Sequence, residues 1–146
     1  KYENINFLII GNGELKSEYE NLIQKYNLEE KVFLINYKDN IFNSLNNSIG
    51  LISTSLWEDP GFVMIEAAAS NVFVISSDCP SGPKEFLYPE AGLLFKNNNL
   101  EDLESKIVEY LNMDSLKVKK FKTNAKKNSI KYTKLRHYKI LSMHLN

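Results

Sequence analysis

Residues 49–75 read IGLISTSLWEDPGFVMIEAAASNVFVI, and the order of patterns in this stretch decides the fold. Ile49 to Ser53 is a short apolar run with the character of a strand. It gives way to a polar loop, Thr54 to Gly61. Phe62 to Ala69 then reads as a helix, because Glu66, Ala67, Ala68 and Ala69 are all favourable helix formers. Val72 to Ile75 is again a compact β-branched and aromatic run. Strand, loop, helix and strand in that order is the alternation that builds a parallel sheet.

The same alternation extends outward on both sides. Upstream, Ile5 to Ile10 forms a strand-like run that stops at the turn Gly11-Asn12-Gly13. Leu15, Tyr19, Leu22, Ile23 and Tyr26 recur at helical spacing, Val32 to Ile35 is a second strand, and Asp39 to Asn47 has room for a short helix. Downstream, Pro80, Gly82 and Pro83 punctuate a loop, and Leu93 to Phe95 is a fifth strand. The remainder is helical. Asn99 caps a helix with Glu101 and Asp102 in its first turn and Leu100, Leu103, Ile107, Tyr110 and Leu111 on one face. Further helices cover Asp114 to Ile130 and Lys134 to Leu145, the last with Leu135, Tyr138, Leu141 and Leu145 on one side. The strands are nearly all apolar, as expected where both sheet faces are covered. The pattern predicts an α/β fold: an open, mostly parallel, Rossmann-like doubly wound sheet with a helical C-terminus, in one domain over residues 1–146.

Composition narrows the function classes. Lys and Arg total 18 and so do Asp and Glu, and this zero net charge gives no support to bulk nucleic-acid binding. The Lys-rich stretch Lys117 to Lys131 reads as the solvated face of a helix. Cys79 is the only cysteine, which rules out an internal disulfide and is compatible with a cytoplasmic location. No apolar run approaches the roughly 18–20 residues that cross a bilayer. The chain opens on Lys1 directly before a strand-like run, as expected of a domain that belongs to something longer.

In open parallel sheets, ligands bind beyond the carboxyl ends of the strands. Those loops hold the candidates. Gly11-Asn12-Gly13 can bring backbone close to a phosphate, but Lys16 stands where the dinucleotide fingerprint needs its third glycine, and taken alone the segment reads as a structural turn. No Gly-Lys-Ser or Gly-Lys-Thr marks a P-loop, and Gly-Asn-Gly stands where a phosphorelay receiver needs its acidic residues. The central loop carries two glutamates eight residues apart, Glu58 before the Pro60-Gly61 turn and Glu66 about one turn inside the following helix. That helix start presents the free N–H groups of Gly61, Phe62 and Val63 and the positive end of the dipole, an anion site. A carboxylate beside it can accept hydrogen bonds from two hydroxyls of a sugar ring. On residue chemistry alone, the pair also reads as two solvated acids, since acids are mostly exposed. His137 and His144 share a face of the last helix without an acidic or cysteine partner, and read as surface histidines. Cys79 has no base beside it and reads as an inert loop residue.

The segment Ser55-Leu56-Trp57-Glu58 through Gly61-Phe62 to Glu66-Ala67, followed by the strand at Val72, resembles the family 4 retaining glycosyltransferases of GT-B fold. The resemblance runs from about Phe7 to the C-terminus. Gly11-x-Gly13 looks like the phosphate-side turn of that family's C-terminal lobe, and Val32-Phe33-Leu34 like its next strand. Ser77 through Glu85 looks like its loop before a Glu-bearing helix, and Ala91 to Phe95 like its following strand. The resemblance implies a catalytic or donor-sugar contact at Glu58, ribose recognition by Glu66, and backbone contacts from Gly61, Phe62 and Val63 to sugar or diphosphate. It places the base near Asn36, Tyr37 and Lys38. The substrate would be a nucleotide diphosphate sugar, UDP preferred. The acceptor would be a saccharide or lipid-linked glycan, with no metal and no other cofactor, since no Asp-x-Asp motif is present. A cytoplasmic enzyme peripherally associated with the inner membrane is the implied setting.

The chain departs from the family pattern at Asn71, where Gly is usual, and at Phe73, where Pro is usual. Asn is the next-best residue for a left-handed helix cap, so the first change is conservative. The resemblance also implies that this lobe opens with one more strand, whose loop supplies an Arg and a Lys to the diphosphate, and that an acceptor-binding N-terminal lobe precedes it. The chain starts after both. On that expectation the isolated chain binds nucleotide weakly and transfers no sugar, and its last helix, which would cross toward the other lobe, exposes an apolar face. Two rival readings remain at this point: a GT-B-like sugar-nucleotide epimerase or phosphorylase, and a non-enzymatic nucleotide-binding module.

Overall fold

The computed structural model of the chain describes residues 5–145, which fall into two compact units, Lys1–Ile41 and Phe42–Asn146. The first holds β1 (Phe7–Ile10), α1 (Lys16–Lys25) and β2 (Val32–Ile35). β1 and β2 pair in parallel, Phe7 opposite Val32 and Ile10 opposite Ile35, with α1 as the crossover. Gly11 N–H prolongs the ladder by donating to the Ile35 carbonyl at 2.9 Å. α1 ends in a left-handed residue, Asn27 (φ 53°). Asn27 N–H donates to Gln24 O and Leu28 N–H to Ile23 O, the paired bonds of a Schellman cap.

The second unit holds α2 (Phe42–Asn46), β3 (Gly50–Ser53), α3 (Phe62–Ala69), β4 (Phe73–Ser77), α4 (Pro83–Leu87) and β5 (Leu93–Phe95). These are followed by α5 (Leu100–Leu111), α6 (Ser115–Ser129), a 3-10 turn (Ile130–Tyr132) and α7 (Lys134–His144). β4 is central, parallel to both neighbours, with Gly50 opposite Phe73 and Ile75 opposite Leu93. Its five residues, apolar Phe73 to Ile75 and polar Ser76 and Ser77, are all buried, as expected of a central parallel strand. Phe73, Ile75, Leu93, Phe95 and Phe121 form the core, packed over by Leu103, Ile107, Tyr110 and Val118 from α5 and α6.

Phe73 is the centre of that core. Its ring stacks on Tyr110 with centroids 4.2 Å apart and on Phe121 at 5.8 Å. Tyr110 then donates its hydroxyl proton to the Ile49 carbonyl at 2.6 Å, tying α5 to the approach of β3. Asn71 adopts φ 60°, and the bonds Asn71 N–H to Ala68 O and Val72 N–H to Ala67 O complete a second Schellman cap. The two departures from the family pattern are therefore both accommodated. One supplies a left-handed cap, and the other an aromatic stack.

Several boundaries differ from the sequence reading. The first strand starts at Phe7 rather than Ile5, and β4 runs Phe73–Ser77 rather than Val72–Ile75, because Val72 is consumed by the helix cap. A short helix, α4, begins at Pro83, a residue suited to a first helical position because it has no N–H to leave unpaired. The strands divide into a two-stranded ladder and a three-stranded ladder, one in each unit. Phe7, Leu8 and Ile9 of β1 are more than two-fifths exposed in this chain. No helix among the described residues is long and apolar enough to cross a membrane.

Candidate functional site

The site grows from the carboxyl ends of β3 and β4. β3 closes on Ser53 and β4 on Ser76 and Ser77, all three buried. A buried hydroxyl needs a partner, and Ser53 and Ser77 find theirs in the loop after β3. Ser77 Oγ donates to the Ser55 carbonyl, and Ser53 Oγ lies 3.4 Å from Ser55 Oγ. Ser55 Oγ donates in turn to Glu58 Oε1 at 2.7 Å. One oxygen of the Glu58 carboxylate is thus fixed through a short relay of hydroxyls anchored in the sheet.

The backbone of Glu58 is held as well. Its N–H donates to the Pro80 carbonyl at 2.9 Å, and its carbonyl accepts from Ser81 N–H at 2.8 Å. The loop after β3 and the loop after β4 are joined at this residue. Gly82 (φ 90°) closes the second loop onto the first. A Cβ there would lie 2.9 Å from the Pro60 carbonyl oxygen, so only glycine lets the two backbones approach.

Gly61 caps α3 from the left-handed region (φ 81°). Met64 and Ile65 N–H bond back to its carbonyl, and the amides of Gly61, Phe62 and Val63 have no acceptor among the described residues. A Cβ at Gly61 would stand 3.3 Å from Glu58 Oε2, which places the second carboxylate oxygen beside the helix start. Glu66, one turn on, is half-buried, and its carboxylate has no partner among the described residues. Trp57 and Phe62, on either side of the turn, are about two-thirds exposed. The structure therefore sets the Glu58 carboxylate beside Gly61 at the start of α3, with Phe62 and Val63 in its first turn and Glu66 one turn further along the same helix.

The other candidates lie in the first unit. Asn12 and Asn36 tie its two loops: Tyr37 N–H donates to Asn12 Oδ1 at 3.3 Å, and Lys16 Nζ to Asn36 Oδ1 at 3.1 Å. Gly11, Gly13, Asn36, Tyr37 and Lys38 are all exposed at the carboxyl ends of β1 and β2. A Cβ at Gly11 or Gly13 would meet nothing within 4 Å, so the space above this turn is open.

An open groove of about 660 Å³ runs between the 78–82 loop and α4, with Asp78, Ser81, Lys84, Glu85 and Tyr88 in its wall. Neither Glu58 nor Glu66 lines it. Cys79 is buried in the same loop, consistent with an inert thiol. His137 and His144 are exposed on α7. Sequence reasoning missed the roles of Ser53, Ser55 and Ser77. The available signal was the Ser55-x-x-Glu58 spacing, which lets a hydroxyl reach a carboxylate three residues on.

Parallel strands carrying a carboxylate loop beside an unpaired helix N-terminus define a Rossmann-like domain of the kind that binds phosphorylated ligands at its strand ends. Comparison with known proteins narrows this class. The model of the family described as "Glycosyl transferases group 1" matches residues 1–128, and the chain belongs to that family. It is 34% identical over 127 residues to the poly(ribitol-phosphate) alpha-N-acetylglucosaminyltransferase of Staphylococcus aureus, covering 86% of this chain and 26% of that one. It is 31% identical over 133 residues to the N-acetylgalactosamine-N,N'-diacetylbacillosaminyl-diphospho-undecaprenol 4-alpha-N-acetylgalactosaminyltransferase of Campylobacter jejuni, covering 90% of this chain and 36% of that one. The structure of a point mutant of S. aureus TarM in complex with fondaparinux, alpha-GlcNAc-glycerol and UDP superimposes with a TM-score of 0.84 at 32% identity, over 97% of this chain and 28% of that one. The fold is that of GT-B glycosyltransferases, and the chain spans about a quarter to a third of the length of these relatives.

Proposed function

We propose that the chain is the donor-binding lobe of a retaining GT-B glycosyltransferase. The whole enzyme moves a hexose or N-acetylhexosamine from a nucleotide diphosphate sugar to a saccharide or lipid-linked acceptor. The observation that carries this reading is the Glu58 carboxylate, fixed by Ser55 on one oxygen and set beside the open amides of α3 on the other. Such a cluster suits a ligand that is anionic at one end and rich in hydroxyls at the other, which is the chemistry of a sugar diphosphate.

Each residue has a role on this reading. Glu58 contacts the donor sugar. Glu66 accepts hydrogen bonds from two ribose hydroxyls, which explains a half-buried carboxylate without a protein partner among the described residues. The amides of Gly61, Phe62 and Val63 receive sugar or diphosphate oxygens. Gly11 and Gly13 leave room for a phosphate, and Asn36, Tyr37 and Lys38 meet the base. UDP is the favoured nucleotide, supported by the UDP in the TarM complex. The sugar types named for the two relatives support a hexosamine donor, and the diphospho-undecaprenol in one name supports a lipid-linked acceptor. A lipid-linked acceptor also favours work at the cytoplasmic face of a membrane.

Calorimetric titration of the chain with UDP, GDP and ADP, repeated on Glu66→Ala, tests this. The expected result is binding of one nucleotide that weakens by at least about 1.5 kcal/mol in the variant, the worth of a hydrogen bond to a charged group. No nucleotide binding, either by the chain or by a longer protein that carries it, overturns the proposal.

A further inference from the structure

The turn that carries Glu58 is also held from the loop after β5. Residues 54–61 form no helix or strand, so the shape of this turn rests on what its backbone is tied to. From the end of β4 come Ser77 Oγ, on the Ser55 carbonyl, and the paired bonds between Glu58 and Pro80-Ser81. From beyond β5 comes Asn97, whose Nδ2 donates to the Leu56 carbonyl at 3.2 Å, 41 residues away in the chain. The loop that presents Asn97 is itself well fixed. Lys96 N–H donates to Asp102 Oδ2 at 2.7 Å, Asn99 N–H to the Lys96 carbonyl at 3.1 Å, and Asp102 N–H to Asn99 Oδ1 at 2.8 Å. Asp78 N–H donates to the Phe95 carbonyl at 2.8 Å, which joins the strand end beneath to β4.

The amide of Asn97 is only half used. The Leu56 carbonyl sets its orientation, since turning the amide over would bring two oxygens together. Asn97 Oδ1 is buried and has no hydrogen-bond partner among the described residues. An oxygen already closed off from solvent stays closed off in any longer protein that carries the chain. A buried acceptor without a donor destabilises a fold, and a leucine of similar size would avoid that cost. What leucine lacks is the donor to the turn beside Glu58.

We propose that Asn97 is a positioning residue for the donor sugar: its amide holds Leu56, and through Leu56 the turn that presents the Glu58 carboxylate. The proposal rests on the donor-lobe reading. Leu56 follows Ser55, which bonds one oxygen of Glu58, and precedes Trp57, the neighbour of Glu58. A drift of the Leu56 carbonyl therefore shifts the two ends of the Ser55–Glu58 bond against each other. The nucleotide contacts assigned to Glu66 and to the loops after β1 and β2 do not run through this bond. Loss of the Asn97 donor falls on the sugar and spares the nucleotide.

The test compares the parent with Asn97→Leu, which removes both the donor and the buried oxygen, and with Asn97→Asp, which keeps the shape without the N–H. Three quantities are measured: the urea midpoint, the nanosecond anisotropy decay of Trp57, the single tryptophan, and calorimetric affinity for UDP and for UDP-N-acetylglucosamine. Asn97→Leu is expected to unfold at or above the parent's midpoint. Both variants should give Trp57 a larger fast phase of local motion. Both should bind UDP within about twofold of the parent and UDP-N-acetylglucosamine roughly three- to tenfold more weakly, the worth of one net hydrogen bond. An unchanged Trp57 decay overturns the proposal. So does an equal loss of both ligands, which would mark a support of the fold, or a loss of neither. A parent that binds neither ligand, alone or within a longer protein that carries it, sinks the donor-lobe reading and the sugar role with it, while the Trp57 decay still reports separately whether Asn97 holds the turn.

Discussion

Ser55 Oγ donates to Glu58 Oε1 at 2.7 Å, and the carbonyl of the same serine accepts from Ser77 at the end of β4. Glu58 is thereby oriented by a hydroxyl that is itself anchored in the sheet. On the proposed roles, Ser55→Ala should leave UDP affinity nearly unchanged and weaken UDP-sugar binding by about 1–2 kcal/mol. Calorimetry with the two ligands in parallel reads the difference. Equal losses for both would show that the serine supports the loop as a whole.

Gly82→Ala should act on the same site from the other loop. Its Cβ would collide with Pro60, 2.9 Å from the carbonyl oxygen, at a φ of 90° that alanine rarely adopts. We expect a loss of about 1–3 kcal/mol in unfolding free energy, measured by urea denaturation. A variant as stable as the parent would show that the loops separate freely.

The aromatic stack is the third case. Phe73 is 1% exposed, and Phe73→Ala should cost about 3–5 kcal/mol, read as a lowered urea midpoint. Tyr110→Phe, which removes only the bond to the Ile49 carbonyl, should cost about 1 kcal/mol.

Burial pushes the Tyr110 phenol above its ordinary value of 10.0. The folded state then holds the proton more tightly than the unfolded state. Its contribution is full below pH 10.0 and is lost as pH rises through the folded-state value. Unfolding followed between pH 9 and pH 11, roughly the window set by that ordinary value, should show an alkaline loss that is smaller in Tyr110→Phe.

Asn71 gives a prediction of opposite sign. Its φ of 60° is one that glycine adopts without cost, so Asn71→Gly should be neutral or slightly stabilising. Asn71→Val should cost about 1–2 kcal/mol, because a β-branched residue resists that conformation. Thermal melts of the two variants side by side decide it.

Much of this architecture was legible in the sequence. β2, α3, β5 and α5 fall where apolar runs and helical spacing put them, and Asn99 caps α5 by accepting from Asp102 N–H at 2.8 Å. Those elements are long, strongly patterned or bounded by residues with one conformational use. The start of α4 was hidden because Pro83 and Gly82 signal a turn as readily as a helix start, and the resemblance put the helix only after the Ser77–Glu85 loop. At the candidate site, Glu58 and Glu66 were singled out by their places after a strand and inside the next helix and by resemblance, their spacing being shared by Glu101 and Glu109. The serines that hold Glu58 were not, since serine is common in loops and its bonds depend on strand ends brought together only by folding.

The paired bonds between Glu58 and Pro80-Ser81 have a consequence for transplantation and divergence. A segment cut from Ser55 to Glu66 and placed in another scaffold would carry the right letters without its brace. The 78–82 loop must travel with it. Within the family, a length change in either loop then asks for an answering change in the other, so the two should vary together as one inherited part, although more than a dozen residues of helix and strand separate them in the chain.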